Sequence, residues 1–315
     1  MSTSARAAYP FLEVNCPVCG GKDFDVLRKA GYPPDFSVAQ LQTVYRASSD
    51  HQLLDQVVRC RPCGMIYVHP RLEASLIQSG YEEVVDPVFV EQNQQRISTF
   101  SSSVRSILKK TGLNPAGKKL LDVGCAGGAF LVAARAAGFE VSGVEPSRWL
   151  SDFASREYGC DVRQGILTDG MFPDHSFDVI SLWDVLEHVP DPDAVLRTIH
   201  SLLKPDGYLW VNYPDAGSFM AKMLGWKWPF WLSVHLLYYN RRTIRRQLEK
   251  AGFAISYIRP HWQQLQFGYV LERAGALVPP AKVASKMVTA IGLGKVPVTY
   301  NMGQTLVVAQ PDRRL

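Results

Sequence analysis

Residues 120–131 read LLDVGCAGGAFL: a short apolar run closed by Asp122, a turn carrying Gly124, Gly127 and Gly128, and the opening of an alanine-rich helix that stops at Gly138. Glycines between a strand and a helix let the chain turn sharply and leave bare backbone for a ligand at the C-terminal edge of a sheet. Working outward, FEVSGVEP (139–146) is the next strand, and its Glu145 stands 23 residues beyond Asp122, at the neighbouring strand end and within reach of a ribose diol. FDVISLW and GYLWVNYP read as further strands, and DAVLRTIHSLLKPDG and RRTIRRQLEKAGF as helices with a glycine near each C-terminal stop. Strands alternating with helices predict an α/β fold with a doubly wound, mostly parallel sheet.

Two ligand classes compete for such a turn. A dinucleotide site wants G-x-G-x-x-G, but Ala126 and Ala129 occupy its third and sixth places. Asp122, just before the first glycine, would repel a pyrophosphate and suits a cationic ligand such as the amino group or sulfonium of S-adenosylmethionine. Composition agrees with an ordinary folded protein: 315 residues, 47% hydrophobic and 20% charged, with a net charge of +5. At about 150 residues per domain this allows roughly two domains, and it excludes disordered, collagen-like and coiled-coil chains. The mild basic excess does not demand nucleic acid. No internal repeat is present.

Four of the six cysteines form two identical knuckles, Cys16-Pro-Val-Cys19-Gly20 and Cys60-Arg-Pro-Cys63-Gly64. Two thiolates on each of two tight turns supply the four soft ligands of a structural zinc site, with no position open for catalysis. A redox pair would instead open a helix in a thioredoxin-like unit. The 40-residue spacer between the knuckles is longer than the ~15–20 of a compact ribbon, so an insertion from Lys22 to Val58 must be accommodated. Cys125 and Cys160 stand alone and read as small packing residues. MIYVHPR after the second knuckle alternates like a strand, and the polar stretch from Glu91 to Ser106 reads as a linking helix. The expected division is a zinc-binding module at 1–75, a helical linker at 76–117, and the α/β domain at 118–315 with an aromatic and basic insertion around 215–246.

LLDVGCAGGAFL, GVEPS, FDVISLWDVLEHVPDP and LLKPDGYLWVNYPD, in that order, resemble the successive motifs of class I S-adenosylmethionine-dependent methyltransferases over about Lys118 to Ala254. The resemblance implies a seven-stranded Rossmann-like sheet whose last strand, GQTLVVAQ, is antiparallel. It implies that Asp122, Gly124 and Gly127, with Cys125, line the amino-acid end of the cofactor, and that Glu145, followed by Pro146, takes the ribose hydroxyls. Ile166 and Leu167 fall at the adenine contact, with Asp169 further on, and Trp183 and Asp184 close the cofactor set. The double C-x2-C joined to this fold, with a histidine before a tyrosine pair, is similar to zinc-containing C-methyltransferases that act on nucleotide-linked deoxysugars. In that group a glutamate precedes the histidine base and a long C-terminal domain follows. Here Val234 takes the glutamate's place, and the sequence ends before such a domain.

On the acceptor side, a helical WDVLEHVPDP would put Asp184 and His188 four apart on one face, making His188 the first candidate base. The plainer reading is that Glu187 and His188 bond nearby loops and shape the pocket. His235, within WPFWLSVHLLYYNRRTI, is the second candidate, a neutral imidazole among aromatics or simply a core residue. Arg241, Arg242, Arg245 and Arg246 read as a solvated basic face, or as an element that meets phosphate or lipid beside Trp226, Trp228 and Trp231. Residues 274–294 read as an apolar lid or a widening of that surface.

No secretory h-region opens the chain and no run reaches ~18 uncharged apolar residues, so a cytoplasmic protein with peripheral membrane contact at most is expected. The sequence-level expectation is methyl transfer to a small-molecule acceptor, a sugar or other natural-product or cell-envelope intermediate. The rivals are an RNA or protein methyltransferase docking through the zinc module, and a non-catalytic cofactor-binding protein. The knuckle region's few interleaved arginines and aromatics argue against nucleic acid.

Overall fold

The computed structural model describes residues 11–33, 36, 37, 40, 44, 45, 53–275 and 279–312. The N-terminal part contributes β1 (Phe11–Leu12), β2 (Phe24–Arg28), β3 (Val57–Cys60), β4 (Ile66–Val68) and β5 (Arg71–Leu72). Three helices follow: α1 (Ala74–Glu82), α2 (Pro87–Glu91) and α3 (Asn93–Thr111). Then come β6 (Lys119–Val123), α4 (Ala129–Ala136), β7 (Glu140–Glu145), α5 (Arg148–Tyr158), β8 (Asp161–Gln164), β9 (Phe177–Trp183), α6 (Pro192–Leu202) and β10 (Leu203–Pro214). The remainder holds α7 (Phe219–Leu224), β11 (Leu237–Tyr238), α8 (Arg241–Lys250), β12 (Phe253–Pro260), β13 (Gln263–Gln266), α9 (Phe267–Ala274), α10 (Pro279–Ala290), β14 (Pro297–Tyr300) and β15 (Gln304–Pro311).

Seven strands form one sheet in the order β8-β7-β6-β9-β10-β15-β12, parallel except for β15, which runs antiparallel to both neighbours. The central strands are continuous apolar runs because helices cover both faces. Every residue of β9 is buried, and its one charge at this level, Asp178, is held by Lys118, Lys204 and the amide of Lys119. One face packs Leu121, Ile180, Leu209 and Val307, and the other Phe130, Phe139, Val179, Trp210 and Val308. The helix expected over residues 193–207 is shorter in the structure. Asp191 caps α6 through the Ala194 amide, Pro192 opens it, and at Leu203 the chain passes directly into β10.

The residues expected to link are a roof. α3 lies on α4, and the Asn93 amide donates to the Gly127 carbonyl at 3.1 Å. The polar stripe of α3 is buried by two neighbours: Asn93 meets the glycine turn, while Thr99 bonds to Gln264 and Ser103 to His261. The aromatic insertion reaches the other way: β11 pairs antiparallel with β4, so the sheet holding the cysteine knuckles, ordered β11-β4-β3-β2, takes its edge strand from residues 237–238. No described helix is long and apolar enough to cross a membrane.

Candidate active site and cysteine module

Asp122 and Glu145 end β6 and β7 side by side at the C-terminal edge of the sheet. Gly124 begins the turn with φ +70°, and a Cβ there would lie 2.6 Å from Val185 Cγ2, so glycine is demanded on both counts. Ala126 also adopts positive φ, +45°, a conformation that costs an ordinary residue ~1–2 kcal/mol. It is pinned there by the Glu145 carboxylate, whose oxygens accept from the amides of Ala126 (2.8 Å) and Ser147 (2.9 Å). Burial pushes the Glu145 carboxyl up to about 7 despite these bonds. Asp122 is 2% exposed and accepts from the Ser181 hydroxyl at 2.6 Å; burial drives its carboxyl well above the usual range and the nearby Glu145 adds to the shift. Two buried acids with no cation beside them suit a positively charged ligand.

The other expected cofactor positions sort by environment. Cys125 is a packing residue, clustered with Leu131 and Cys160 and set against Gly143. Pro146 offers its carbonyl to Gln164. After β8, Ile166 is exposed and Leu167 buried in the core, so Ile166 is free to meet a ligand face, while Asp169 is engaged by the Thr198 hydroxyl. Trp183 packs its ring among Phe100, Phe130 and His261, leaving its backbone toward the site's edge.

The helical reading of residues 183–192 does not hold. Asp184 has φ +55° and only Leu186–His188 form a single 3-10 turn. Asp184 and His188 therefore do not share a helical face. The Asp184 carboxylate turns to Asn212 (2.8 Å) and Gln304 (2.9 and 3.0 Å), and burial raises it to about 6 while the charge of Arg96 opposes the rise. His188 turns to the insertion and to α1: its Nδ1 lies 2.9 Å from the Val234 carbonyl and 2.7 Å from the Tyr81 hydroxyl. His235 lies against it, ring centroids 4.6 Å apart, with Nδ1 2.8 Å from the Phe230 carbonyl. Burial brings His188 down to about 4 and His235 well below its usual range, so both imidazoles are neutral near pH 7.

Five residues were not singled out from the sequence. Arg96 on α3 stacks over Phe89 at 3.8 Å, and its Nε is buried without a partner. Around it Gln92, Asn93 and Gln95 also hold buried oxygens that lack a donor. Tyr81 comes from a helix assigned to the linker. The signal was present for α3, since residues 92, 96, 99 and 103 recur at helical spacing on one face; nothing comparable marks Tyr81.

Beyond the ends of β10, β15 and β12 lies a cleft of about 800 Å³, bounded by Asp215, Lys222, Arg241, Arg242, Trp262 and Gln304. Gln304 links it to Asp184. Phe219 and Trp262 on this cleft are 76% and 60% exposed. The arginine run is split. Arg241 pairs with Asp215 at 3.6 Å and Arg245 with Glu249 at 3.7 Å, while Thr243, Ile244, Gln247 and Leu248 bury the opposite face of α8.

The knuckles fold alike. Gly20 donates to the Cys16 carbonyl and Gly64 to the Cys60 carbonyl, each at 2.8 Å. The four sulfurs cluster within 4.8 Å of one another, with Cys16–Cys63 and Cys19–Cys60 each at 3.5 Å. Tetrahedral bonds of ~2.3 Å place sulfurs roughly 3.8 Å apart, so this quartet could hold zinc with little movement. Of residues 274–294, positions 276–278 lie outside the described residues; the rest form the end of α9, α10 and the turn toward β14.

The strand order and the paired acids at its edge define a class I methyltransferase domain. A family profile described as "Methyltransferase domain" matches residues 89–257, more than half of the chain. The chain belongs to that family, the S-adenosylmethionine-dependent methyltransferases. Over 106 residues it is 39% identical to the ubiquinone biosynthesis O-methyltransferase of Actinobacillus pleuropneumoniae serotype 7, covering 30% of this chain and 45% of that one. Over 118 residues it is 34% identical to the enzyme of the same name from Ralstonia nicotianae, covering 35% and 50%. The chain thus spans about half the length of the curated relatives it matches. Among solved structures, a SAM-dependent methyltransferase from Archaeoglobus fulgidus is 16% identical with a TM-score of 0.49, covering 71% of this chain and 100% of that one.

Proposed function

We propose that this chain transfers the methyl group of S-adenosylmethionine to a small molecule bound in the cleft beside Gln304, with a hydroxyl as the accepting group. The observation that carries the reading is the ring of buried polar atoms left without partners on α3, above two buried acids on the sheet edge. Each kind of group fits a part of the donor. Asp122 and Asp184 face its ammonium and sulfonium, Arg96 takes its carboxylate, and Glu145 accepts from the ribose. Gly124, Gly127 and the backbone at Cys125, Pro146 and Trp183 line its length, and Ile166 and Leu167 flank the adenine.

Transfer is an in-line displacement, so the chief task is alignment of sulfur, methyl and oxygen. A neutral imidazole accepts the hydroxyl proton as the oxygen–carbon bond forms and the carbon–sulfur bond breaks. His188 and His235 are the candidates, each with Nδ1 facing a carbonyl; neither lines the cleft, so the acceptor's hydroxyl must extend beyond it to meet them. The O-methyltransferase names of the relatives favour a hydroxyl; the similarity to sugar enzymes adds nucleotide-linked sugars to the acceptors to try. We further propose that residues 1–75 are a module organised by one zinc ion on Cys16, Cys19, Cys60 and Cys63.

Calorimetry with S-adenosylhomocysteine, followed by turnover against hydroxylated aromatics and nucleotide-linked sugars, tests the reading. Donor-product binding that weakens ≥10-fold in Arg96→Ala supports the placement, and no binding to the wild type overturns it.

A further inference from the structure

Beside the methyl-donor site the structure gathers three groups that can accept a hydrogen bond or bind a cation; among the described residues the Tyr81 hydroxyl, 2.7 Å from His188 Nδ1, is the one hydroxyl in contact with them. Glu187 is 1% exposed, and neither carboxylate oxygen has a hydrogen-bond partner. His188 and His235 stand beside it, with one ligating atom of each of the three residues within 4.8 Å of the others. A carbonyl can only accept, so the Phe230 carbonyl directs the ring proton of His235 to Nδ1, and the Val234 carbonyl does the same for His188, with the Tyr81 hydroxyl beside that Nδ1 taking the acceptor role. That leaves a lone pair on each Nε2. Metal-binding histidines are oriented in the same way, the far nitrogen donating to a carbonyl. A buried carboxylate beside two lone pairs is satisfied by a proton or by a metal ion, and two imidazoles with one carboxylate are the donor set that suits divalent first-row ions.

We propose that Glu187, His188 and His235 form a second metal site, separate from the cysteine quartet, for a divalent ion such as Mn²⁺, Co²⁺ or Zn²⁺. Its remaining coordination positions would be filled by water, exchangeable for an acceptor hydroxyl. The ligands come from the 3-10 turn after β9 and from the insertion, so the ion would also tie the acceptor loop to the sheet. The proposal rests on the placement of the acceptor side given above but not on methyl transfer itself; with the ion bound both Nε2 lone pairs are occupied, so the histidines serve as ligands in place of the proton-accepting role given above.

The test is Mn²⁺ binding followed by electron paramagnetic resonance, since manganese favours oxygen and nitrogen donors over a thiolate quartet. The wild type should take up one equivalent of Mn²⁺, and Glu187→Gln and His235→Gln should each bind it at least 10-fold more weakly. Wild-type protein whose cysteine quartet is first loaded with Zn²⁺ should bind the same equivalent of Mn²⁺. S-adenosylhomocysteine affinity, measured on the same samples, reports separately on the donor site and on folding. No Mn²⁺ or Co²⁺ bound by the wild type beyond the cysteine quartet would overturn the proposal, the cluster then being held by a proton on Glu187. Unchanged binding in both Glu187→Gln and His235→Gln would overturn it as well.

Discussion

Asp122 and Glu145 sit at equivalent strand ends yet do different work. Asp122 keeps a carboxylate in a place where only a cationic ligand relieves its burial, so Asp122→Asn, which keeps the volume and the Ser181 contact, isolates the charge. Loss of a charged contact of about 1.5–3 kcal/mol predicts donor-product affinity ~10–150-fold weaker by calorimetry, with the thermal midpoint of the free protein unchanged or raised. Glu145 holds the backbone at Ala126. Its carboxyl is raised to about 7 in the fold, so the folded state binds a proton that the unfolded chain has already released. Its contribution to stability is present below about pH 4.5 and is lost as pH rises toward 7, at roughly 1.4 kcal/mol per pH unit. Thermal melts of ligand-free protein across that range should show Glu145→Gln with a flatter decline than the wild type. Both residues were legible in the sequence because an acid at a strand end before a glycine turn is a local pattern. Arg96 was not, and Glu187 was read only as a residue that bonds nearby loops. What marks them is the lack of a partner in three dimensions, which no spacing reveals.

Among elements, the glycine turn and the 3-10 turn opposite it are coupled. Gly124→Ala would force its Cβ into Val185 and also strain a positive φ. A cost of about 1–3 kcal/mol, read from the urea midpoint, should accompany weaker donor binding. β6, β7, β9 and β10 announced themselves as apolar runs closed by turn signals, and the final antiparallel strand was expected from the family resemblance. The segment from Asp184 to His188 did not, because its conformation is set from outside: Gln304 and Asn212 draw Asp184 one way, and Tyr81 and Val234 draw His188 the other. Helix α3 was recognised as a helix but not as a roof, since the N-terminal part of its buried face is polar and Val104 and Ile107, further along, carry the apolar stripe by which packed helices are ordinarily read.

For the whole molecule, the knuckle sheet, the insertion and the cleft form one continuous body. Cys60→Ser should release one equivalent of metal and lower turnover, although Cys60 touches nothing in the site, because β3 and β4 carry the edge to which β11 is bonded. Metal analysis and activity on the same preparation check this. The cleft's rim sets exposed Phe219 and Trp262 beside Lys222, Arg241 and Arg242, a mixture that suits an amphiphilic acceptor with an anionic end. Replacing Phe219 and Trp262 by serine should raise KM for such an acceptor several-fold and leave donor affinity alone.

The two residues of β11 make this chain a clasp rather than a string of parts. A graft of the cysteine knuckles onto another scaffold would have to carry Leu237 and Tyr238 with it, although about 170 positions separate them from β4. Conversely, the two halves, cut in a surface loop and produced separately, have a ready-made seam along which to find each other again.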